Sequence, residues 1–165
     1  MKKLTMIICL LAAFAMGAYA QEPWKIIDME DVVKHGSHCD FDDETCTAEF
    51  TGSQDRWFDL PGVSGDLTGH TKLDLEILKS TCILKICVRY KDADGKTQQV
   101  TAVTPYSQMG KTIESKKIIK VDLADKGKVS EEMLKNVTSI RIAMAKAVDG
   151  NEEPWTVQFG NVAIY

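Results

Sequence analysis

The feature that most constrains this chain is an apolar period of two. Leu73, Leu75 and Ile77 alternate with Lys72, Asp74 and Glu76; Leu84, Ile86, Val88 and Tyr90 alternate with Lys85, Cys87 and Arg89; Ile140, Ile142 and Met144 alternate with Ser139, Arg141 and Ala143. Successive side chains of an extended strand leave opposite faces, so each run offers one face to a core and one to water. Shorter strand candidates are 24–27, 45–50, 56–60, 97–103, 117–121, 155–159 and 162–165. Turn chemistry separates them: Gly95 in Asp92-Ala93-Asp94-Gly95-Lys96 stands where a hairpin needs positive φ. One helix is expected, capped by Ser130, with Glu131 and Glu132 in its first turn and an end near Asn136. Trp155, Val157 and Phe159 share one parity, and Val162 and Ile164 resume that face if Gly160-Asn161 forms a tight turn or a bulge. So many short strands with so little helix exclude parallel sheets, which need helical crossovers, and leave a two-sheet antiparallel sandwich or a barrel.

The first twenty residues read as a signal peptide: Lys2 and Lys3, an apolar run from Leu4 to Met16, and Ala18-Tyr19-Ala20 as a cleavage site. The expectation is an exported chain with one domain, 21–165, in the periplasm or secreted, and no membrane span, because no later stretch reaches the roughly 20 apolar residues a span needs. Without Lys2 and Lys3 the formal charge of −4 becomes −6, and no basic cluster is visible in the linear sequence, which argues against nucleic acid as partner. Export permits disulfides. Cys39 and Cys46 lie in one polar segment and are the favoured pair, whereas Cys82 and Cys87 on one strand would sit about 16 Å apart and should not bond to each other. In the same segment His35, His38, Cys39 and Cys46 have a zinc-compatible spacing, and Asp40, Asp42 and Asp43 offer hard oxygen donors for a structural calcium ion. An acidic, solvated loop closed by the disulfide is the favoured reading, with no cofactor required. Nothing matches a nucleophile elbow, a phosphate loop or an HExxH pair, so no enzyme is expected.

The ordered series Arg56-Trp57-Phe58-Asp59-Leu60-Pro61-Gly62, then 67–77, 83–100, 115–123, 136–146 and 155–165, resembles the galactose-binding-like β-jelly-roll modules that accompany secreted polysaccharide-degrading enzymes in gut bacteria. The resemblance implies an all-β fold, a two-sheet antiparallel β-sandwich of jelly-roll topology with at most one short helix. It also implies a noncatalytic, glycan-recognising function, often with a structural calcium. Sugar recognition needs a flat aromatic for the apolar face of a pyranose and planar polar side chains for its hydroxyls. Trp57, Tyr106 and Trp24 are the candidate platforms, with Trp155 placed in the core by parity and Trp57 and Phe58 facing opposite ways. The candidate polar floor comprises Arg89, Glu76, Asp74, Arg141 and Gln158, with Lys85 beside them, provided the central strands share one sheet. The plainer account of that floor is cross-strand charge pairing, such as Glu76 with Arg89. The expected partner is a polysaccharide or oligosaccharide, and the alternative is docking or structural work with other exported proteins of the bacterial envelope.

Overall fold

The computed structural model describes residues 21–165; the leader lies outside the described residues. Ten strands, all paired antiparallel, build two packed sheets: β1 Lys25–Ile27, β2 Cys39–Asp42, β3 Thr47–Phe50, β4 Trp57–Asp59, β5 Lys72–Ser80, β6 Cys82–Lys91, β7 Thr97–Val103, β8 Lys117–Asp122, β9 Val137–Ala147 and β10 Trp155–Ile164. The six-stranded sheet runs β2-β3-β10-β5-β8, with β1 beside the C-terminal half of β10, and the four-stranded sheet runs β4-β9-β6-β7. The expected all-β two-sheet sandwich is what forms.

The period of two does what it should. Leu73, Leu75 and Ile77 from one sheet meet Leu84, Ile86, Val88, Ile140, Ile142 and Met144 from the other in one continuous apolar cluster. Apolar area removed from water at about 25 cal/mol per Å² is the main force holding the two layers together. The chain passes from one sheet to the other at Thr81, whose amide donates to the Thr156 carbonyl and whose carbonyl accepts from the Val148 amide. β10 is one strand rather than two: its register slips between Phe159 and Val162, so that Val157, Phe159, Val162 and Ile164 all face the core. That is the work of a bulge. Gly160 sits within it, with the Glu76 carboxylate lying across the backbone there.

Among the described residues two short α-helices form instead of at most one. α2, Glu131–Leu134, is the expected one: the Ser130 hydroxyl accepts from the Met133 amide, and the helix stops two residues short of Asn136. α1, Tyr106–Met109, was not foreseen, because tertiary contact rather than propensity holds it. Met109 is fully buried, while the Gln108 side chain donates to the Lys120 carbonyl at 2.9 Å and accepts from the Lys120 amide at 3.0 Å. In the β6–β7 turn Gly95 adopts φ 76° as required, and the Asp92 carboxylate accepts from the Gln98 side chain and the Lys96 and Asp94 amides, which lowers its pKa.

Residues 39–50 are a hairpin, β2–β3, not a loop tied by a disulfide. All four described cysteines are free thiols. The register explains this: Cys39 lies opposite Phe50, four residues from Cys46, so the two are separated by about 13 Å along the hairpin, whereas a disulfide needs α-carbons within about 7 Å. Asp40 and Asp42 alternate outward on β2, and the Asp42 carboxylate accepts from the Thr45 amide at 3.1 Å to shape the turn. Among the described residues no three His, Cys, Asp or Glu side chains gather around a point fit for a metal ion, whether calcium or zinc.

Burial pushes the Cys39 thiol up to about 12, helped by the Asp40 charge, and burial alone pushes Cys82 to about 12 against the Ser80 hydrogen bond and the Arg56 charge. Both groups hold their protons more tightly when folded. Stability is therefore complete below the ordinary value of 9.0 and is lost as pH rises toward 12. Short iodoacetamide treatment at about pH 8 should leave Cys39 and Cys82 unmodified in the native protein and alkylate both in urea, read by mass spectrometry. An alkylation-resistant Cys39–Cys46 pair in urea would contradict the hairpin register.

Candidate functional site

The outer face of the four-stranded sheet carries the densest polar constellation. On β4 the backbone turns Phe58 into the core and leaves Trp57 and Asp59 outside; Trp57 is registered against Ala143 and Asp59 against Arg141 of β9. β9 in turn places Arg141 beside Cys87 and Ser139 beside Arg89 of β6, and β6 places Arg89 beside Gln99 of β7. Four strands distant in sequence thus deliver one row of polar side chains.

Asp59 is the hub. Its side chain is 5% exposed and accepts from Arg141 twice, Nε to Oδ1 at 2.7 Å and Nη2 to Oδ2 at 3.2 Å, and from Arg89 Nη1 at 3.4 Å; Lys34 Nζ stands 3.8 Å from Oδ2. A fork of two parallel N–H donors is the strongest way to hold a carboxylate. The Arg141 guanidinium is also stacked on Trp57, with Cζ 3.3 Å from the ring centroid. The segment before β2 closes over this end of the sheet: Gly36 donates to the Trp57 carbonyl and Lys34 accepts from the Asp59 amide. Only glycine fits at 36, since a β-carbon would lie 2.0 Å from the Asp55 carbonyl oxygen.

Beside this hub lies an open depression of about 350 Å³, lined by Trp57, Arg141, Lys85, Gln99, Arg56 and Asp55 among others. On the far side of Asp59 a second depression, about 450 Å³, is lined by Lys34, Asp31, Pro61 and Ser139.

The residues expected to bind a sugar are divided by this architecture. Trp57, Arg89 and Arg141 come together, with Lys85. Asp74, Glu76 and Gln158 point outward from the other sheet, on the opposite side of the molecule, so the single polar floor does not exist. There the charges pair locally: Glu76 with Lys116 at 2.8 Å and Asp74 with Lys120 at 3.9 Å, while Arg89 takes Asp59 rather than Glu76. Tyr106 is exposed on α1 and Trp24 is exposed ahead of β1, stacked on His70 with centroids 4.6 Å apart; neither lines the depression. Sequence reasoning missed Asp59, Arg56, Lys34 and Gln99. Asp59 had a signal, its shared parity with Trp57; the other three belong to the site only through long-range pairing.

Searches with family models, among curated proteins and among solved structures returned no match for this chain.

Proposed function

We propose that this protein is an exported, noncatalytic carbohydrate-binding module, and that its binding face is the outer surface of the four-stranded sheet. The observation that carries this reading is the depression in which the Trp57 indole, the Arg141 guanidinium, the Lys85 ammonium and the Gln99 amide converge. A pyranose offers C–H groups to an aromatic surface and hydroxyls to planar donors, and the depression is lined by both kinds of side chain, with Arg141 already covering one face of the Trp57 indole. Arg141 is held by two bonds to Asp59 and by the indole, so little side-chain freedom is lost when a ligand arrives. The noncatalytic part of the reading is supported by Asp59: both its oxygens are engaged by guanidinium groups, and among the described residues Asp55 is the one other carboxylate beside the depression, whereas glycoside hydrolysis uses a working pair.

A shallow site of this kind should bind with millimolar to micromolar Kd, about −4 to −8 kcal/mol. A glycan array followed by calorimetry on the residues from Gln21 onward should show such binding, weakened roughly tenfold by Trp57→Ala or Gln99→Ala, as expected for loss of about 1.4 kcal/mol. Silence across plant, host and microbial glycans would overturn the proposal.

A second reading, a module that docks another envelope protein, draws on the start of β1, where Trp24 just ahead of the strand and Ile26 within it are 44% and 68% exposed. Pull-down from native envelope separates the two, since a stoichiometric protein partner that free sugar fails to displace belongs to this second reading.

A further inference from the structure

Folding gathers positive charge onto one face of a chain whose formal net charge is −4. Around Asp59 three cations, Lys34, Arg89 and Arg141, share a single carboxylate. Lys85 and Arg56 line the adjoining depression and form no ion pair among the described residues, Arg56 resting instead 5.5 Å over the Trp155 ring. Against these five cations stand Asp59, already saturated, and Asp55 at the rim, with Asp31 in the second depression. A face meant only for neutral hydroxyls has no use for surplus cations.

We infer that the glycan taken by this face is anionic, a polymer whose sugar residues carry carboxylate or sulfate groups; the inference rests on the carbohydrate-binding reading above. The free edge of Arg141 and the Lys85 and Arg56 head groups bind the oxyanions, and Trp57 meets the ring that bears them. Arg141 is the specific element because its guanidinium is immobilised before the ligand arrives and presents planar donors to a planar or tetrahedral oxyanion. Lys85 and Arg56 add field and steering, which salt screens. The second depression, across Asp59, extends the surface along the polymer, where Lys34 presents a further donor.

The test uses residues from Gln21 onward against four immobilised polymers: polygalacturonate and its methyl-esterified form, and dextran sulfate and plain dextran, with single-stranded dT20 as a charge control. The expected result is retention on polygalacturonate, on dextran sulfate or on both, at least about tenfold tighter than on the uncharged counterpart and weakening between about 50 and about 500 mM NaCl. Which anionic polymer is held tells carboxylate from sulfate. The double substitution Lys85→Gln with Arg56→Gln should weaken that binding at least about fivefold while lowering the thermal midpoint by no more than about 3 °C, because neither side chain has an ionic partner to lose and only the Arg56 contact with Trp155 is given up. Equal binding to the neutral counterparts would overturn the anionic class and leave carbohydrate binding standing. Silence on all four polymers and on a neutral glycan array would overturn both. Equal affinity for dT20, or indifference to the double substitution, would show mere charge adhesion and overturn the inference.

Discussion

Asp59→Ala is expected to destabilise the protein by about 3–5 kcal/mol, the cost of stranding a partly buried cation whose partner has been removed. The exposures decide this magnitude. The Asp59 side chain is 5% exposed and that of Arg141 12%, so this is not a surface ion pair worth a few tenths of a kcal/mol. Arg141 cannot swing into water without leaving the Trp57 ring, and Arg89, 23% exposed, loses the same partner. In a domain of this size the loss should lower Tm by roughly 10–20 °C, measured by calorimetry or circular dichroism. Replacing both partners with apolar residues, Asp59→Leu with Arg141→Met, should recover much of that loss, because two buried charges then disappear together. A cost below about 1 kcal/mol for Asp59→Ala would mean that the pair is solvated and that Arg141 is not preorganised, which would remove the main support for the binding face. The same variant separates stability from recognition: where it remains folded, its glycan binding should fall because the freed guanidinium no longer presents fixed donors.

Asp59 also illustrates what the linear sequence could and could not disclose. Strand parity is a local property, so the inward set was legible: Leu84, Ile86 and Val88, or Ile140 and Ile142, could be assigned to a core from alternation alone, and all are buried. Parity says in or out but not which sheet a strand joins. Glu76 and Arg89 share the outward parity of adjacent long strands, yet the chain changes sheets at Thr81 between them and sends them to opposite sides of the molecule. The candidate floor was split for that reason. Asp59 fell within the expected strand 56–60, but its role depends on Arg141, 82 residues away, being its cross-strand neighbour. The disulfide failed similarly. Spacing permitted closure between Cys39 and Cys46, and only the hairpin register, with Cys39 opposite Phe50, forbids it. Strand β2 itself was hidden because Cys-Asp-Phe-Asp carries two residues depleted from strands, and pairing with β3 overrides that preference. The basic character of the face was invisible in the same way, since Lys34, Arg56, Lys85, Arg89 and Arg141 are scattered over more than a hundred residues and meet only when the strands pair.

Phe58→Ala should cost about 3–5 kcal/mol, and its effect should reach the binding face. β4 is only three residues long; its backbone bonds to β9 on one side and to Lys34 and Gly36 of the segment before β2 on the other, a short tether on either side. What ties it to the core is Phe58, fully buried, with its ring packed edge-on to Phe159 of β10 at 5.5 Å and tilted against Phe41 of β2 at 5.2 Å. Those two partners belong to the opposite sheet, which makes Phe58 a rivet through the sandwich. Truncation would forfeit the transfer free energy of the ring and leave a cavity between three strands that can collapse only if β4 moves. Because Trp57 and Asp59 flank Phe58 on the same short strand and point outward, any such movement displaces the indole and the carboxylate that hold Arg141. The expected outcome in urea denaturation is a lower midpoint with an unchanged slope, while Phe58→Leu, which returns most of the volume, loses considerably less. In the folded fraction of Phe58→Ala, glycan affinity should also drop although no residue of the face has been altered. Full stability in Phe58→Ala, or lost stability with affinity intact, would show that β4 is held by something other than its aromatic anchor and that the site does not depend on the core beneath it.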